Sequence, residues 1–485
     1  MNCKGLVTDL YQLTMANALF KRNEHEKKVV FDRFYRKNPF DGAYTVVAGI
    51  SHLIKFIKEF RYSKEDIEYL RSLNKFYPEF LDYLENFEFK GSIYAMKEGT
   101  IAFPKETLLR FHGTITEAML LETGLSMIMN HESLIATKAR RMRIAAKNDM
   151  LMEFGLRRAQ GHSASLWGTR AAVIGGFNGT SHVEAGKLFG LPVMGTMAHS
   201  WVMSFDTELE AFREYARQYD ENIILLVDTY NVLSGGIPNA VKVFKELRAE
   251  NRLPKKYGIR IDSGDLAYLS KKAREIFDKE GFEDAIISAS NDLDEYSIEL
   301  LKAQGCTVTS WGVGTKVITA DGTSALGGVF KMCEKETGNG FESVMKISND
   351  VAKMTNPGVK SVRRFYKKKN GKIITDLMCL ESEPMPKGEE FTFTTESANW
   401  RTKTLKKDSY IVEDMLKPII INGKIFKQPS FEETIEYSKS QMKSLWPEYT
   451  RFLMPHQMEI NTSVLLQKKK KEIIKLELSK NSAVE

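Results

Sequence analysis

The sequence predicts an α/β protein: a parallel sheet or barrel that carries the chemistry, joined to a second domain of mixed α and β structure. Three observations lead there. From residue 151 to about 330 the pattern strand, loop, helix repeats, the mark of a parallel sheet or barrel. The strands in that stretch are nearly continuous apolar runs, as strands buried on both faces are. Polar residues collect at the carboxyl end of strand after strand, where α/β scaffolds place their sites. At 485 residues the chain is also too long for one ordinary core. The expected division is 1–137 as an N-terminal α+β domain, 138–332 as a barrel-like catalytic domain, and 333–485 as a C-terminal part packing back on the first.

Residues 1 to about 90 read as helical and mixed. Thr8 or Asp9 can cap a helix entered at Leu10, and Ser63 with Asp66 three residues on resembles a capping box. From 91 to 122 the period changes to short strands between glycines and prolines, at 91–96, 99–104 and 108–113, read as a small antiparallel sheet. A long helix is expected over 124–147, with Lys138, Arg140, Arg141 and Arg143 near its end. The βα units follow. Strands are expected at 151–156, 191–197, 223–227, 258–261, 285–289, 307–311 and near 328, with helices over 206–219, 237–250, 265–280 and 293–304. Beyond 333 the period ends. Strands at 361–366 and 373–380 flank Asn370-Gly371, a hairpin turn. Helical segments close the chain, and this tail is expected to return to the N-terminal sheet.

Composition excludes several classes. Hydrophobic residues at 42% and charged residues at 27% are those of a soluble globular protein. The net charge of +7 is mild over this length. It suits small anionic substrates but not nucleic acid, since no finger, helix-turn-helix or RNP-like signature accompanies it. The lysine runs 367–369 and 468–471 read as a turn and a solvated helix face. Cys3, Cys306, Cys333 and Cys379 form no CxxC, so neither a zinc site nor a disulfide framework is expected, and reduced thiols fit a cytoplasmic location. No segment has the apolar length of a membrane span. The first ten residues include Asp9 and no apolar core, which argues against a signal peptide.

The stretch 153–201 concentrates glycine, arginine and histidine. Arg157 and Arg158 follow one apolar piece, and His199 and Ser200 follow another. Asp228 ends the next strong strand. Arg260, Asp262, Ser263, Gly264 and Asp265 end the one after it. Ser290, Asn291 and Asp292, then Gly312, Gly314 and Thr315, complete the series. In a barrel these positions share one mouth. The glycine-bearing turns at 263–265 and 312–315 offer backbone N–H groups to phosphate, although Asp262 is equally suited to cap the helix at 265. His25, His52 and His456 lack chemical company, and His112, His131, His162 and His182 read as packing residues. His199 differs, because a carboxylate one strand away, Asp228, can fix its tautomer. No serine nucleophile elbow, HExxH or Walker A motif is present.

The segments TDLYQLTM, EFGLRRAQG, GGFNGTSHVEAG, GTMAHSW, LLVDTYN, IRIDSGDL, SASNDLDE and WGVGTK, in this order from about residue 6 to 332, resemble the nicotinate phosphoribosyltransferase family. The last 150 or so residues add little to the likeness. The resemblance implies the type II phosphoribosyltransferase fold, an irregular, incomplete α/β barrel with a second domain built from the N-terminal part and C-terminal returns. It implies synthesis of nicotinate mononucleotide and pyrophosphate from nicotinate and phosphoribosyl pyrophosphate, coupled to ATP hydrolysis, in NAD salvage. It makes His199 the residue phosphorylated by ATP and Asp228 its orienting partner. Thr196, Arg260 and Arg157 match positions that hold nicotinate or the adjoining phosphate, and Gly264, Asp265, Gly314 and Thr315 those that hold the phosphoribosyl group. Asp262, Ser263, Asn291 and Asp292 join them as substrate contacts. Tyr11 resembles a tyrosine that stacks on the pyridine ring from a neighbouring subunit, which implies a homodimer with shared sites. Mg2+ is implied as a cofactor, with no ligand for it named from the sequence. The chemistry agrees: nicotinate's ring nitrogen has a free lone pair, so the site needs charge clamps and magnesium more than a strong base.

Two other readings stand beside this one. Nicotinamide-using relatives resemble the same stretch but carry Asp after Gly-Thr to accept the amide N–H. Here Ser181 follows Gly179-Thr180, and Ser does not repel a carboxylate. A catalytically inactive nucleotide-binding regulator would be marked by loss of His199, Asp228 or the glycine-rich turns, and all are present.

Overall fold

The computed structural model describes residues 3–482, except 220, 349, 351, 352, 396 and 397. The chain forms two compact units, one of residues 1–137 with 325–485 and one of residues 138–324.

The second unit is built on a six-stranded sheet in which every pair is parallel. Its spatial order is Gly179–Thr180, Met150–Glu153, Ser310–Val313, Ile286–Ala289, Lys256–Ile261 and Asn222–Leu226. It is a curled half-barrel, open between the first and last strands. The central residues Leu151, Leu225, Ile259, Ile261, Ala289, Trp311 and Val313 are fully buried, as the apolar runs require. The connecting helices Glu208–Gln218, Ile237–Ala249, Leu266–Lys279 and Glu295–Ala303 follow the expected period.

Two expected strands of this sheet are not in it. Residues 191–197 make one isolated bridge, Thr180 to Val193, and Val193 is half exposed. Pro192 lacks the N–H a continuous ladder needs. The strand near 328, Gly328–Thr337, is antiparallel to Lys28–Tyr35 and belongs to the first unit.

The first unit holds a seven-stranded sheet with Lys28–Tyr35 near its middle, paired to Leu109–Thr114 on one side and Gly328–Thr337 on the other. Lys417–Ile421 joins Ser92–Ala95 in the same sheet. A four-stranded sheet carries the hairpin Lys360–Lys367 and Ile373–Leu380 around Asn370-Gly371. The expected 91–113 sheet is divided, because Ile101–Ala102 pairs instead with Thr45–Val46. The strand Lys28–Tyr35 escapes a sequence reading because Asp32 and Arg33 interrupt its apolar pattern. Both are buried, Asp32 against Lys360 at 2.6 Å and Arg33 against Asn130 at 2.6 Å. His52, read as solitary, holds buried Glu132 at 2.7 Å.

The long helix runs Ile115–Ala146 and starts nine residues before the sequence expectation. Thr114 and Glu117 exchange capping bonds, Glu117 N–H to Thr114 Oγ1 at 3.1 Å and Thr114 N–H to Glu117 Oε2 at 2.7 Å, the capping box that marks a helix start. Gly124 is inside the helix because Phe56 packs there; a Cβ would lie 2.2 Å from that ring. Within the second unit the end of this helix is tied to the helix Glu295–Ala303. Glu295, fully buried, takes Lys138 Nζ at 2.7 Å and Arg141 Nε at 2.7 Å, and Arg141 also donates to the Tyr296 hydroxyl at 2.8 Å. Glu295 opens the helix that follows residues 290–294, so the clasp fixes that loop.

Replacing Glu295 by Ala leaves two buried cations without their carboxylate, which costs about 3–5 kcal/mol. Urea unfolding of Glu295→Ala is expected to show a loss of that size. A change below about 1 kcal/mol would mean the loop is held by other contacts.

Candidate active site

Parallel strands deliver their carboxyl ends to one rim, and here the junctions after four strands, with residues 198 and 199, meet a cleft of about 350 Å³. Its polar lining comes from Arg157 and Arg158, His199, Arg260 and Asp262, Ser290 to Asp292, and Thr315.

The arginine pair leaves the 150–153 strand on a 3-10 turn, Leu156–Arg158. Buried Glu153 fixes that turn, accepting the Thr180 hydroxyl at 2.6 Å, the Thr169 hydroxyl at 3.0 Å and the Gly155 N–H. Burial raises the Glu153 carboxyl above its ordinary range, although these three donors oppose the shift.

His199 begins the short helix His199–Met203. Its Nδ1 lies 3.2 Å from the Thr229 hydroxyl, and its Nε2 lies 3.7 Å from Asp262 Oδ2. The carboxylate expected to orient it, Asp228, is bonded in this structure to the loop after the neighbouring strand. Asp228 Oδ2 accepts the backbone N–H of Asp262 at 3.1 Å and the Ser263 hydroxyl. Asp228 follows the edge strand Asn222–Leu226, and Asp262 follows the next strand inward, Lys256–Ile261. Asp262 Oδ1 in turn accepts the Ser290 hydroxyl.

Arg260 points from the same strand as Asp262 and donates through Nη1 to Thr196 Oγ1. Burial lowers its guanidinium below the ordinary value, and Asp262 and Asp228 oppose that shift. Its Nε is buried without a hydrogen-bond partner, a donor left for a ligand. Asn291 adopts φ 93, and the turn it makes presents residues 290–292 to the cleft. On the far side, Gly312 lies against Phe154, where a Cβ would be 2.6 Å from the ring. The first helical bond of Thr315–Ile318 is donated by Ile318 to Gly314 O, so the N–H groups of residues 315–317 precede it and are available to an anion.

Of the residues singled out from sequence, Arg157, His199, Arg260, Asp262, Asn291, Asp292, Gly314 and Thr315 line the cleft. Outside the lining, Thr196 holds Arg260, Asp228 holds the Asp262 amide, and the Ser263 hydroxyl donates to Asp228. Ser181 is at the end of the short 179–180 strand and donates its backbone N–H to Glu153 O at 3.0 Å, outside the lining. Gly264 has φ 83 and makes the turn before Asp265. Asp265, not Asp262, caps the following helix, accepting Tyr268 N–H at 2.9 Å. Tyr11 belongs to the first unit and is half exposed on the helix Leu10–Lys21. Sequence reasoning placed Arg158 and Ser290 at the mouth without assigning them a contact, and singled out neither Phe154 nor Thr229. For Arg158, Ser290 and Thr229 the signal was present, since each adjoins a chosen residue at a strand end. Phe154 carried none, because it looks like the last residue of an apolar run.

The lining therefore offers three guanidiniums, an imidazole, backbone donors and two carboxylates, a set suited to phosphate groups. Among the described residues no group of three or more His, Cys, Asp or Glu forms a metal cage. Magnesium commonly arrives on a polyphosphate and takes only one or two protein carboxylates. Asp262 and Asp292 fit that need, and Asp228 Oδ1 is buried without a partner.

Comparison with known proteins agrees along the whole chain. Family models described as the nicotinate phosphoribosyltransferase (NAPRTase) N-terminal domain, the NAPRTase family and the C-terminal domain match residues 6–130, 150–367 and 359–470. The C-terminal match adds a likeness that the motifs before residue 332 do not carry. The nicotinate phosphoribosyltransferase of Bacillus subtilis is 39% identical over 460 residues, covering 95% of this chain and 93% of its own. That of Homo sapiens is 30% identical over 523 residues, covering 96% and 95%. The crystal structure of human nicotinic acid phosphoribosyltransferase superposes with a TM-score of 0.83 at 28% identity, over 97% of this chain and 100% of that one.

Proposed function

The chain belongs to the nicotinate phosphoribosyltransferase family, and from that premise we propose how its cleft performs the reaction. The activity is nicotinate phosphoribosyl transfer, a step of NAD salvage. Nicotinate's ring nitrogen attacks the ribosyl carbon as pyrophosphate departs, so positive charge develops on the sugar and negative charge on the leaving group. The observation that carries the site reading is the meeting of Arg157, Arg158, Arg260, His199 and the 312–315 turn on one cleft.

In this reading Arg157, Arg158 and Arg260 clamp the pyrophosphate and the carboxylate of nicotinate, with Thr196 keeping Arg260 in place. The 314–315 amides hold the ribose phosphate, and Gly264 lets the 263–265 turn approach it. Asp265 contributes by capping the helix behind that turn. Magnesium, carried in on pyrophosphate, would be met by Asp262, Asp292 and the free oxygen of Asp228, and it supplies charge neutralisation. Asn291 and Ser263 hold the loops on either side of Asp262.

ATP coupling runs through His199. Its ring nitrogen attacks the γ-phosphorus, the bond to the ADP oxygen breaks, and phosphohistidine results. Asp262 on the Nε2 side favours a proton there, which leaves the Nδ1 lone pair toward Thr229 as the nucleophile. Asp228 acts one step back, by placing Asp262. Ser181 stands at the nicotinate end, where an uncharged hydroxyl tolerates the substrate carboxylate. We further infer a homodimer in which Tyr11 enters the partner's site, supported by the exposed row Leu10, Tyr11 and Met15 on one helix. The four free thiols suit the reducing cytoplasm.

With γ-labelled ATP, His199→Asn is expected to carry no acid-labile label and to lose the ATP stimulation of product formation, while slow ATP-independent transfer persists. Equal labelling of variant and wild type would assign phosphorylation elsewhere. Ser181→Asp is expected to shift the ratio of nicotinate to nicotinamide use by roughly tenfold to a hundredfold, the effect of about 1–3 kcal/mol from a second buried anion. An unchanged ratio would remove Ser181 from the pyridine end. Mixing Tyr11→Ala with His199→Asn tests the shared site. Random pairing of subunits should restore roughly a quarter of wild-type ATP-stimulated activity, and no recovery would mean each chain builds its site alone.

A further inference from the structure

One cavity of the first unit is lined by no residue of the catalytic cleft. It has about 570 Å³, within the range of small-molecule sites. The strands Lys28–Tyr35, Gly328–Thr337, Ile373–Leu380 and Ile460–Thr462 contribute to its wall.

Its chemistry is one-sided. Lys105, Lys331, Lys360 and Lys470 line it, and Asp32 is the single carboxylate among the described lining residues. Asp32 is already matched by Lys360 at 2.6 Å, both buried. Lys360 also donates to Asn356 O at 2.8 Å and Gly358 O at 2.6 Å, so its donors are spent on the wall. Burial acts to lower the Lys360 ammonium, but the charges and hydrogen bonds of Asp32 and Cys333 together outweigh it and hold the group above its ordinary value. The pair is therefore a neutral floor, and the positive excess comes from Lys105 and Lys331, whose Nζ also donates to Phe330 O at 3.0 Å. Part of the remaining surface is soft and apolar, Met332, Met354, Met378 and Met458 with Phe34, beside the polar Thr107, Thr355, Asn356 and Gln457. Thioethers adapt to a flat ligand without imposing a shape.

An independent observation points to a ligand. Thr462 is 7% exposed and lines the cavity, and its Oγ1 is buried without a hydrogen-bond partner. Buried hydroxyls are nearly always satisfied, and a polar ligand group would satisfy this one.

We propose that this cavity binds a small phosphate ester with a flat apolar body, its phosphate held by Lys105 and Lys331 and a polar group of its body by Thr462. Lysines act as point-charge phosphate binders, and the methionines receive the apolar body. The site is separate from the substrate cleft and does not depend on how catalysis is assigned.

The test is calorimetric titration of the full chain with 1-naphthyl phosphate. The Arg260→Ala chain removes binding at the catalytic cleft, so one remaining site per chain is expected. In that background Lys331→Met and Lys105→Glu should each weaken binding tenfold or more, and Thr462→Val several-fold. Lys105 is exposed, so its charge can be reversed without entering the core, and thermal melting of every variant controls for folding. 1-Naphthol should bind at least tenfold more weakly than the ester. Loss of all binding in Arg260→Ala overturns the proposal, as does binding insensitive to Lys331→Met and Lys105→Glu. Inorganic phosphate binding as tightly as the ester would overturn the apolar half of the assignment.

Discussion

The carboxylate of Asp262 is the point on which the cleft turns. Its Oδ1 accepts from Ser290, its backbone amide is held by Asp228, and its Oδ2 faces the His199 ring. Three strands and the 196–199 segment are thereby referred to one residue. A carboxylate held this way has little freedom to follow a ligand, so the cleft is organised before a ligand enters. The partly buried position of Arg260 depends on the same centre, since Asp262 and Asp228 offset the cost of desolvating its guanidinium.

Rigidity at that point comes from a second layer which is mostly polar. Glu153 holds the turn of Arg157 and Arg158, Thr196 holds Arg260, and Glu295 clasps Lys138 and Arg141 behind the 290–294 loop. None of these carboxylates reaches the cleft lining, yet each sets where a lining residue stands. Such groups act by geometry, and the energetic asymmetry of buried ions makes them intolerant of partial removal. The first unit uses the same device. Asp32 with Lys360 and Arg364 with Asp376 are buried pairs, and the first of them joins the N-terminal sheet to a strand more than three hundred residues later in the chain.

Much of this was legible in the sequence because its causes are local. Apolar runs mark strands buried on both faces, and the residue after such a run stands at a strand end. That is why Arg157, Arg260, Asp262, Asn291 and Thr315 could be chosen before any coordinates. The hairpin at Asn370-Gly371 and the Ser63–Asp66 capping box are also local devices, and both are present. Where a local rule was overlooked the boundary moved, as at Thr114 and Glu117, whose exchange of capping bonds starts the long helix early.

The sequence by itself determined the class of fold, the family and most of the strand ends that form the rim. Tertiary structure alone decided which carboxylate faces His199, because Asp228 and Asp262 end adjacent parallel strands and only the sheet's curl distinguishes them. It alone placed Gly328–Thr337 in the antiparallel sheet and not the half-barrel, because an apolar strand carries no mark of its partner. It also made Lys28–Tyr35 an inner strand in spite of Asp32 and Arg33. Charges enter a core only when their counter-groups arrive from elsewhere in the chain, and that meeting is not written in any local stretch of residues.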